Sequence, residues 1–184
     1  EQSIPVREAP WVVWSHLRHT GVPVNTQSWL RDSGSLTARL KSACRESFRV
    51  RLLNQGWGRP LHGESRLLGI GPREIAVVRE VELLCDGIPW VFARTLIPAS
   101  SLEGAARRLT RLGERPLGEV LFTDRRMHRD VTEMARLTPR HRLFAEAVSR
   151  SDQRAGSLWG RRTLFYLAGK PLLVNEIFLP DCLP

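Results

Sequence analysis

The dipeptide Asp86-Gly87 stands in the middle of a largely apolar stretch, residues 73–97, and no other feature restricts the folding of this chain so sharply. A two-residue hairpin turn needs positive φ at its central positions, which Asp-Gly supplies, so the stretch reads as two long antiparallel strands. A second hairpin is predicted where residues 164–167 and 172–179 flank Ala168-Gly169-Lys170, with Pro171 at the mouth of the turn, where it has no ladder bond to donate. Ser35 is a plausible cap for a helix in which Leu36, Leu40 and Ala43 share a face, and Phe48, Val50 and Leu52 then alternate with arginines as in a strand. Residues 101–112 read as a helix ending at Gly113, and Pro116 can open a further short helix through Leu117, Val120, Leu121 and Phe122. Antiparallel strands with separate helices predict an α+β fold built on a single antiparallel sheet.

At 184 residues the chain suits one domain over 1–184, with an irregular N-terminal arm over about 1–25. Residues 54–72 hold five glycines and two prolines, too broken for regular structure, and read either as a mobile flap or as an ordinary surface loop. Cys44, Cys85 and Cys182 are odd in number and lack metal-ligand spacing, which predicts three reduced thiols. With no leader pattern at the N-terminus, the expected location is the cytoplasm.

The net charge is +9, and Lys41 and Lys170 are the only lysines among 28 basic residues. A nucleic-acid partner is therefore tested first. Residues 125–162 hold ten arginines against four acidic residues, without interleaved aromatics, and no zinc-finger or RNA-recognition motif occurs elsewhere. A solvated basic face fits this pattern better than a nucleic-acid surface.

The candidate chemistry is written as two charged residues in apolar rows. Side chains alternate across a strand, so Ile75, Val77, Arg79, Val81 and Leu83 share one face of the first hairpin strand. Counting back from a two-residue turn sets Arg79 opposite Arg94, an arrangement that needs a carboxylate nearby or an anionic ligand. The alternative is a bulge that turns Arg94 to the other face, or both arginines snorkelling past the sheet edge. On the last strand Leu172, Val174, Glu176 and Phe178 share a face, so a carboxylate also falls among large apolar groups. Burial there would favour a protonated, proton-donating Glu176, pairing with Arg79 would hold it ionised, and an edge position would simply expose it to solvent. The five histidines show no ligand spacing, and neither a phosphate-binding glycine loop nor a serine nucleophile elbow is present, so metal, nucleotide and acyl-enzyme chemistry lack support.

Several motifs, in shared order and spacing, resemble the chorismate pyruvate-lyase family. They are Ser35-Leu36-Thr37, Arg79-Glu80 with Leu83-Leu84-Cys85, Asp86-Gly87 with Pro89-Trp90, Ala93-Arg94-Thr95 with Pro98, and Pro116-Leu117-Gly118 with Leu121-Phe122. Leu158-Trp159-Gly160-Arg161-Arg162 and the closing run from Gly169-Lys170-Pro171 through Glu176-Ile177-Phe178-Leu179-Pro180 complete the likeness, which spans most of the chain. The resemblance implies helical flaps over a small, nearly dry cavity, a monomer, and a cofactor-independent lyase that eliminates pyruvate from chorismate to give 4-hydroxybenzoate for ubiquinone synthesis. It further implies that Arg79 grips the ring carboxylate with help from the Leu117 N–H, that Leu36 lines the cavity, and that Glu176 lies near the hydroxyl or departing ether oxygen. Arg94 would capture or steer the ligand. Glu176 would either protonate the leaving oxygen or only fix the conformer while hydrogen moves from C4 to the side-chain methylene.

The chain departs from the family pattern at about 133–156, which reads as a basic insertion. There Met134, Leu137, Leu143, Phe144, Ala147 and Val148 are partly spaced for an amphipathic helix, suited to packing on the body or, alternatively, to peripheral contact with an anionic membrane. The rival to a lyase is a non-catalytic effector-binding domain of the same architecture, such as occurs in bacterial transcription regulators. No DNA-binding helix-turn-helix precedes the sheet, which tilts the expectation toward catalysis.

Overall fold

A computed structural model describes residues 7–17, 21–150 and 153–182. Seven antiparallel strands form one sheet in the order β1-β5-β6-β7-β4-β3-β2. They are β1 (Val12–Val13), β2 (Phe48–Gly58), β3 (Ala76–Cys85), β4 (Ile88–Pro98), β5 (Met127–Leu137), β6 (Leu158–Leu167) and β7 (Lys170–Phe178). Two three-stranded meanders, β2-β3-β4 and β5-β6-β7, join where β4 pairs with β7. The helices are α1 (Trp14–Leu17), α2 (Val24–Leu30), α3 (Leu36–Ala43), α4 (His62–Leu68), α5 (Leu117–Leu121) and α6 (Arg142–Val148), with a 3-10 helix over Gly104–Arg111. The α+β reading therefore holds.

Each face of the sheet is covered, and alternation along the strands decides what each covering meets. On the front, α2 and α3 pack Leu30, Leu36 and Leu40 against Val81, Val91 and Phe178. Beside them the 3-10 helix and α5 pack Ala106, Leu109 and Leu121 against Ile97, Phe165 and Val174. On the back, α6 sets Leu143, Phe144 and Ala147 against Phe92 and Ile177, and α4 sets Leu68 near Val78, Leu96 and Leu173.

Local chemistry explains where these elements start and stop. Ser35 Oγ accepts from the Ala38 N–H at 3.3 Å and caps α3, as expected. Asp86 takes φ 52° and Gly87 φ 83°, closing the first hairpin, and Ala168 and Gly169 do the same for the second. The Asp86 carboxylate also accepts from the backbone N–H groups of Arg45, Glu46 and Ser47 at 2.8–3.0 Å, which holds it below the usual carboxylate range and ties the hairpin tip to the α3–β2 connection.

Four expectations change. Cys44 and Cys85, beside that tie, have Cα atoms 5.2 Å apart and form a disulfide, so only Cys182 is a free thiol, buried beneath α2 and α3. Residues 54–72 are mostly regular: β2 continues to Gly58 because its backbone pairs with β3 down to Gly58↔Ala76, and α4 follows on the back face, so this segment is no flap over the front. The described part of the N-terminal arm adds β1 to the edge of β5 and a turn of helix at α1; residues 1–6 and 18–20 lie outside the described residues. Glu133–Leu137 of the basic insertion belongs to β5 and pairs with β6, which leaves α6 as the new element. The apolar side chains of α6 are buried against the body. No helix among the described residues is long and apolar enough to cross a membrane.

Candidate functional site

A cavity of about 530 Å³, its mouth included, lies on the front face at the seam between the two apolar clusters. Its floor is Arg79, Val81 and Leu83 of β3, Ala93 and Thr95 of β4, and Val174 and Glu176 of β7; Phe165 and Phe122 form one wall. The roof is made by Leu36 and Thr37 at the start of α3 and Pro116, Leu117 and Gly118 at the start of α5. These two helix starts are clasped together. A Cβ added to Gly118 would stand 2.8 Å from Thr37 Oγ1 and 3.2 Å from Ser35 Oγ, and Lys41 pairs with Glu119 just beyond. That close approach gives a physical reason for glycine after Pro116-Leu117 and for small hydroxyl residues around Leu36.

Arg79 and Glu176 share the cavity. In register, Arg79 lies opposite Thr95 and Glu176 opposite Ala93, so the two are separated by two strand spacings and two residues, roughly 12 Å between Cα atoms. Both side chains then reach inward from opposite ends. Arg79 is 2% exposed and donates from Nη2 to the carbonyls of Gly113 at 2.9 Å and Arg115 at 3.1 Å. Its Nε has no partner, no carboxylate pairs with it among the described residues, and burial pushes its pKa down. A buried cation without a counter-charge is costly, and an anion entering the cavity would relieve it.

Glu176 is matched by a partner that none of the three expectations named. Arg161, its cross-strand neighbour on β6, donates from Nε to Glu176 Oε2, and Nη1 of Arg161 donates to the carbonyls of Asp32 at 2.7 Å and Trp29 at 3.0 Å. The partner of Glu176 is thus Arg161, not Arg79. Sequence reading quoted Arg161 within a motif but gave it no role. The signal lies in the alternation: β6 begins at Leu158 and not at residue 164, so Trp159, Arg161, Thr163 and Phe165 share its front face. Thr37, Thr95, Phe122 and Phe165 were likewise not assigned to the site.

Arg94 does not join the cavity. Pairing runs Cys85↔Ile88 and Leu84↔Pro89, then resumes at Leu83↔Val91, so Trp90 is an extra residue and every side chain beyond it changes face. Thr95 comes to the front and Arg94 goes to the back. There Arg94 donates to Glu64 at 3.1 and 3.4 Å and to Glu80 at 2.7 Å, and Asn175 donates to Glu64 at 3.0 Å. Burial pulls the Arg94 pKa down, but the charge and hydrogen bonds of Glu64 and the bond to Glu80 raise it overall. A steering role for Arg94 is therefore corrected to one of holding the back of the sheet.

Leu117 opens α5, where the first N–H groups have no carbonyl to bond within the helix, and Leu36 is part of the roof. Among the described residues no three His, Cys, Asp or Glu side chains gather as a metal site would require. One guanidinium, one carboxylate, two threonines and the start of α5 supply the polar groups of an otherwise apolar chamber.

These features give an α+β domain with a largely apolar cavity whose few polar groups, a guanidinium at one end and a carboxylate at the other, suit a small anion carrying a second polar group. Its fold is shared with the crystal structure of PhnF from Mycobacterium smegmatis, at TM-score 0.60 and 16% identity over 84% of this chain and 67% of that one. The ligand-binding domain of a putative GntR-family transcriptional regulator from Bordetella bronchiseptica matches at TM-score 0.52 and 17% identity, covering 73% of this chain and 84% of that one. Sequence narrows the class. The chorismate lyase family model matches residues 8–183, and the chain belongs to that family. A probable chorismate pyruvate-lyase of Methylococcus capsulatus is 47% identical over 85% of this chain and 96% of its own length. One from Nitrosomonas europaea is 38% identical over 93% of this chain and 95% of its own.

Proposed function

We propose that this chain eliminates pyruvate from chorismate and leaves 4-hydroxybenzoate. The observation that carries the reading is Arg79, buried without a carboxylate partner among the described residues, at one end of a largely apolar cavity whose other end holds Glu176. In this reading the ring carboxylate lies on Arg79 and the Leu117 N–H, and the C4 hydroxyl donates to Glu176. The ether bond at C3 breaks and the hydrogen at C4 leaves, so the ring becomes aromatic and the enolpyruvyl fragment departs as pyruvate. No oxidant or reductant is consumed, and no cofactor enters the proposal. The pairing of Glu176 with Arg161 favours Glu176 as an acceptor that fixes the ring, with the C4 hydrogen passing within the substrate to the side-chain methylene, over Glu176 as a proton donor.

The proposed working unit is a monomer, and the proposed setting is the cytoplasm with 4-hydroxybenzoate passed to ubiquinone synthesis. The test is to incubate purified protein with chorismate and measure pyruvate and 4-hydroxybenzoate. Equal amounts of both, lost in Glu176→Ala, are expected. Binding of chorismate without turnover would instead favour a non-catalytic effector domain of the kind its fold neighbours contain.

A further inference from the structure

Chorismate carries two carboxylates, and the grip assigned to Arg79 accounts for one. A second front-face arginine is also left without a counter-charge. Arg129 of β5 lies opposite Phe165, and its guanidinium stands 5.2 Å from the centre of that ring and 5.7 Å from the centre of Phe122. Both rings line the cavity and pack edge to face, 6.0 Å apart. Arg129 therefore sits immediately behind the aromatic wall.

Its hydrogen bonds are weak ones. Nη1 donates to the Asp32 carbonyl at 3.4 Å and Nη2 to the Gly34 carbonyl at 3.2 Å, at or beyond the long end of the usual range. No ion pair neutralises it among the described residues. Burial pushes its pKa down and the neighbouring Arg161 pushes it further, while Glu176 and Asp32 pull the other way. Arg161 and Arg129 converge on the same Asp32 oxygen, so the Arg129 head group lies close to the Arg161–Glu176 pair, just outside the residues that line the cavity. The C3 ether substituent is next to the C4 hydroxyl, and so points from the Glu176 end.

We propose that Arg129 receives the enolpyruvyl carboxylate of the substrate, with the unsaturated tail lying along Phe122 and Phe165. This rests on the lyase reading above and deepens it. Two uncompensated guanidiniums, Arg79 and Arg129, then match the two charges of a dianion, while Arg161 is engaged by Glu176. 4-Hydroxybenzoate lacks the second carboxylate, so Arg129 distinguishes substrate from aromatic product and does not help retain the latter.

The experiment compares wild type, Arg129→Gln and Arg129→Lys in three measurements: steady-state kinetics with chorismate, calorimetric affinity for 4-hydroxybenzoate, and the affinities of 3-(carboxymethoxy)benzoate and 3-methoxybenzoate. Wild type should bind the dicarboxylate about tenfold or more tightly than its methoxy counterpart, and Arg129→Gln should erase that preference and raise KM for chorismate by a similar factor. Affinity for 4-hydroxybenzoate should stay within about twofold of wild type, and Arg129→Lys should recover part of the lost preference. A parallel loss of 4-hydroxybenzoate affinity would mark Arg129 as a brace for the 32–34 loop and overturn the proposal, as would a wild type indifferent to the second carboxylate. That ligand comparison needs only the wild-type chain, so a variant that fails to fold does not protect the idea. Wild-type protein that makes no pyruvate from chorismate would bring down the lyase reading itself, whereas normal turnover with no Arg129 effect would bring down only this assignment.

Discussion

Replacing Arg79 by methionine separates what this residue does for the ligand from what it does for the fold. The unliganded protein loses two hydrogen bonds to Gly113 and Arg115, at 2.9 and 3.1 Å. Hydrogen bonds to a charged group contribute about 1.5–3 kcal/mol each. Against that loss, the desolvation of a buried unpaired cation, itself several kcal/mol, disappears. The two are of similar size and opposite sign, so unliganded stability should move by no more than about 2 kcal/mol. Ligand binding has no such offset, because a carboxylate drawn into the cavity would face no cation. Truncating one partner of a buried charge pair costs about 2–5 kcal/mol, which at about 1.4 kcal/mol per decade is a loss of roughly 30-fold to several thousand-fold in affinity. Thermal unfolding and calorimetry with 4-hydroxybenzoate, run on the same preparations, read the two quantities separately. Affinity within about threefold of wild type, or a collapse in stability with affinity kept, would refute the reasoning and leave Arg79 as a clamp on the 113–115 turn.

Arg94→Met should do the reverse: it strands Glu64 in the back of the sheet, costs about 3–5 kcal/mol and lowers the unfolding midpoint by roughly 6–20 °C, while the folded fraction binds 4-hydroxybenzoate normally. Titration of thiols in the denatured, non-reduced chain should find Cys182 alone reactive, and Cys44→Ser should cost up to about 4 kcal/mol for a cross-link of 41 residues; three reactive thiols would contradict the disulfide. His141, whose Nδ1 accepts from the Thr138 N–H at 2.9 Å, has its pKa pushed below 6.5 by burial, so the folded state binds fewer protons than the unfolded one. Its contribution to stability is complete above that unfolded value and is lost as pH falls through the lower folded one, so acidification should lower the unfolding midpoint more in wild type than in His141→Asn.

What could be read from sequence was what neighbours in the chain decide. The Asp86-Gly87 turn, the Ser35 cap, the Pro116 helix start and the shared face of Val174 and Glu176 all depend on residues within a few positions of one another. What escaped depends on partners far along the chain. Trp90 could be identified as a bulge only through its missing partner on β3, and that single residue decides whether Arg94 meets Arg79. Residues 54–58 look like a loop in composition, yet β3 supplies a ladder that overrides it. The Cys44–Cys85 bond needs the return of the chain through β2 and β3 to bring its ends together. Arg161 and Arg162 precede the expected start of their strand at residue 164, and each is buried because it has its own acid on a neighbouring strand, Glu176 for one and Glu133 for the other.

That last contrast separates site from scaffold in this sheet. A row of polar residues crosses the back in register, Glu80↔Arg94↔Asn175↔Arg162↔Glu133, and there each arginine has a carboxylate from this chain. Buried arginine is thus as common behind the sheet as in front, and burial alone does not mark function. Individual atoms on the back, Nη1 of Arg162 and Oδ1 of Asn175, go without hydrogen bonds, but the charges to which they belong are balanced or absent. On the front the balance fails: Arg161 takes Glu176, and Arg79 is left with carbonyls alone. Carbonyl oxygens orient a guanidinium without neutralising it, so the remaining charge must be met by something the described residues do not supply. That unmatched charge lines the cavity, and this coincidence, more than any motif, makes an anionic substrate the natural occupant.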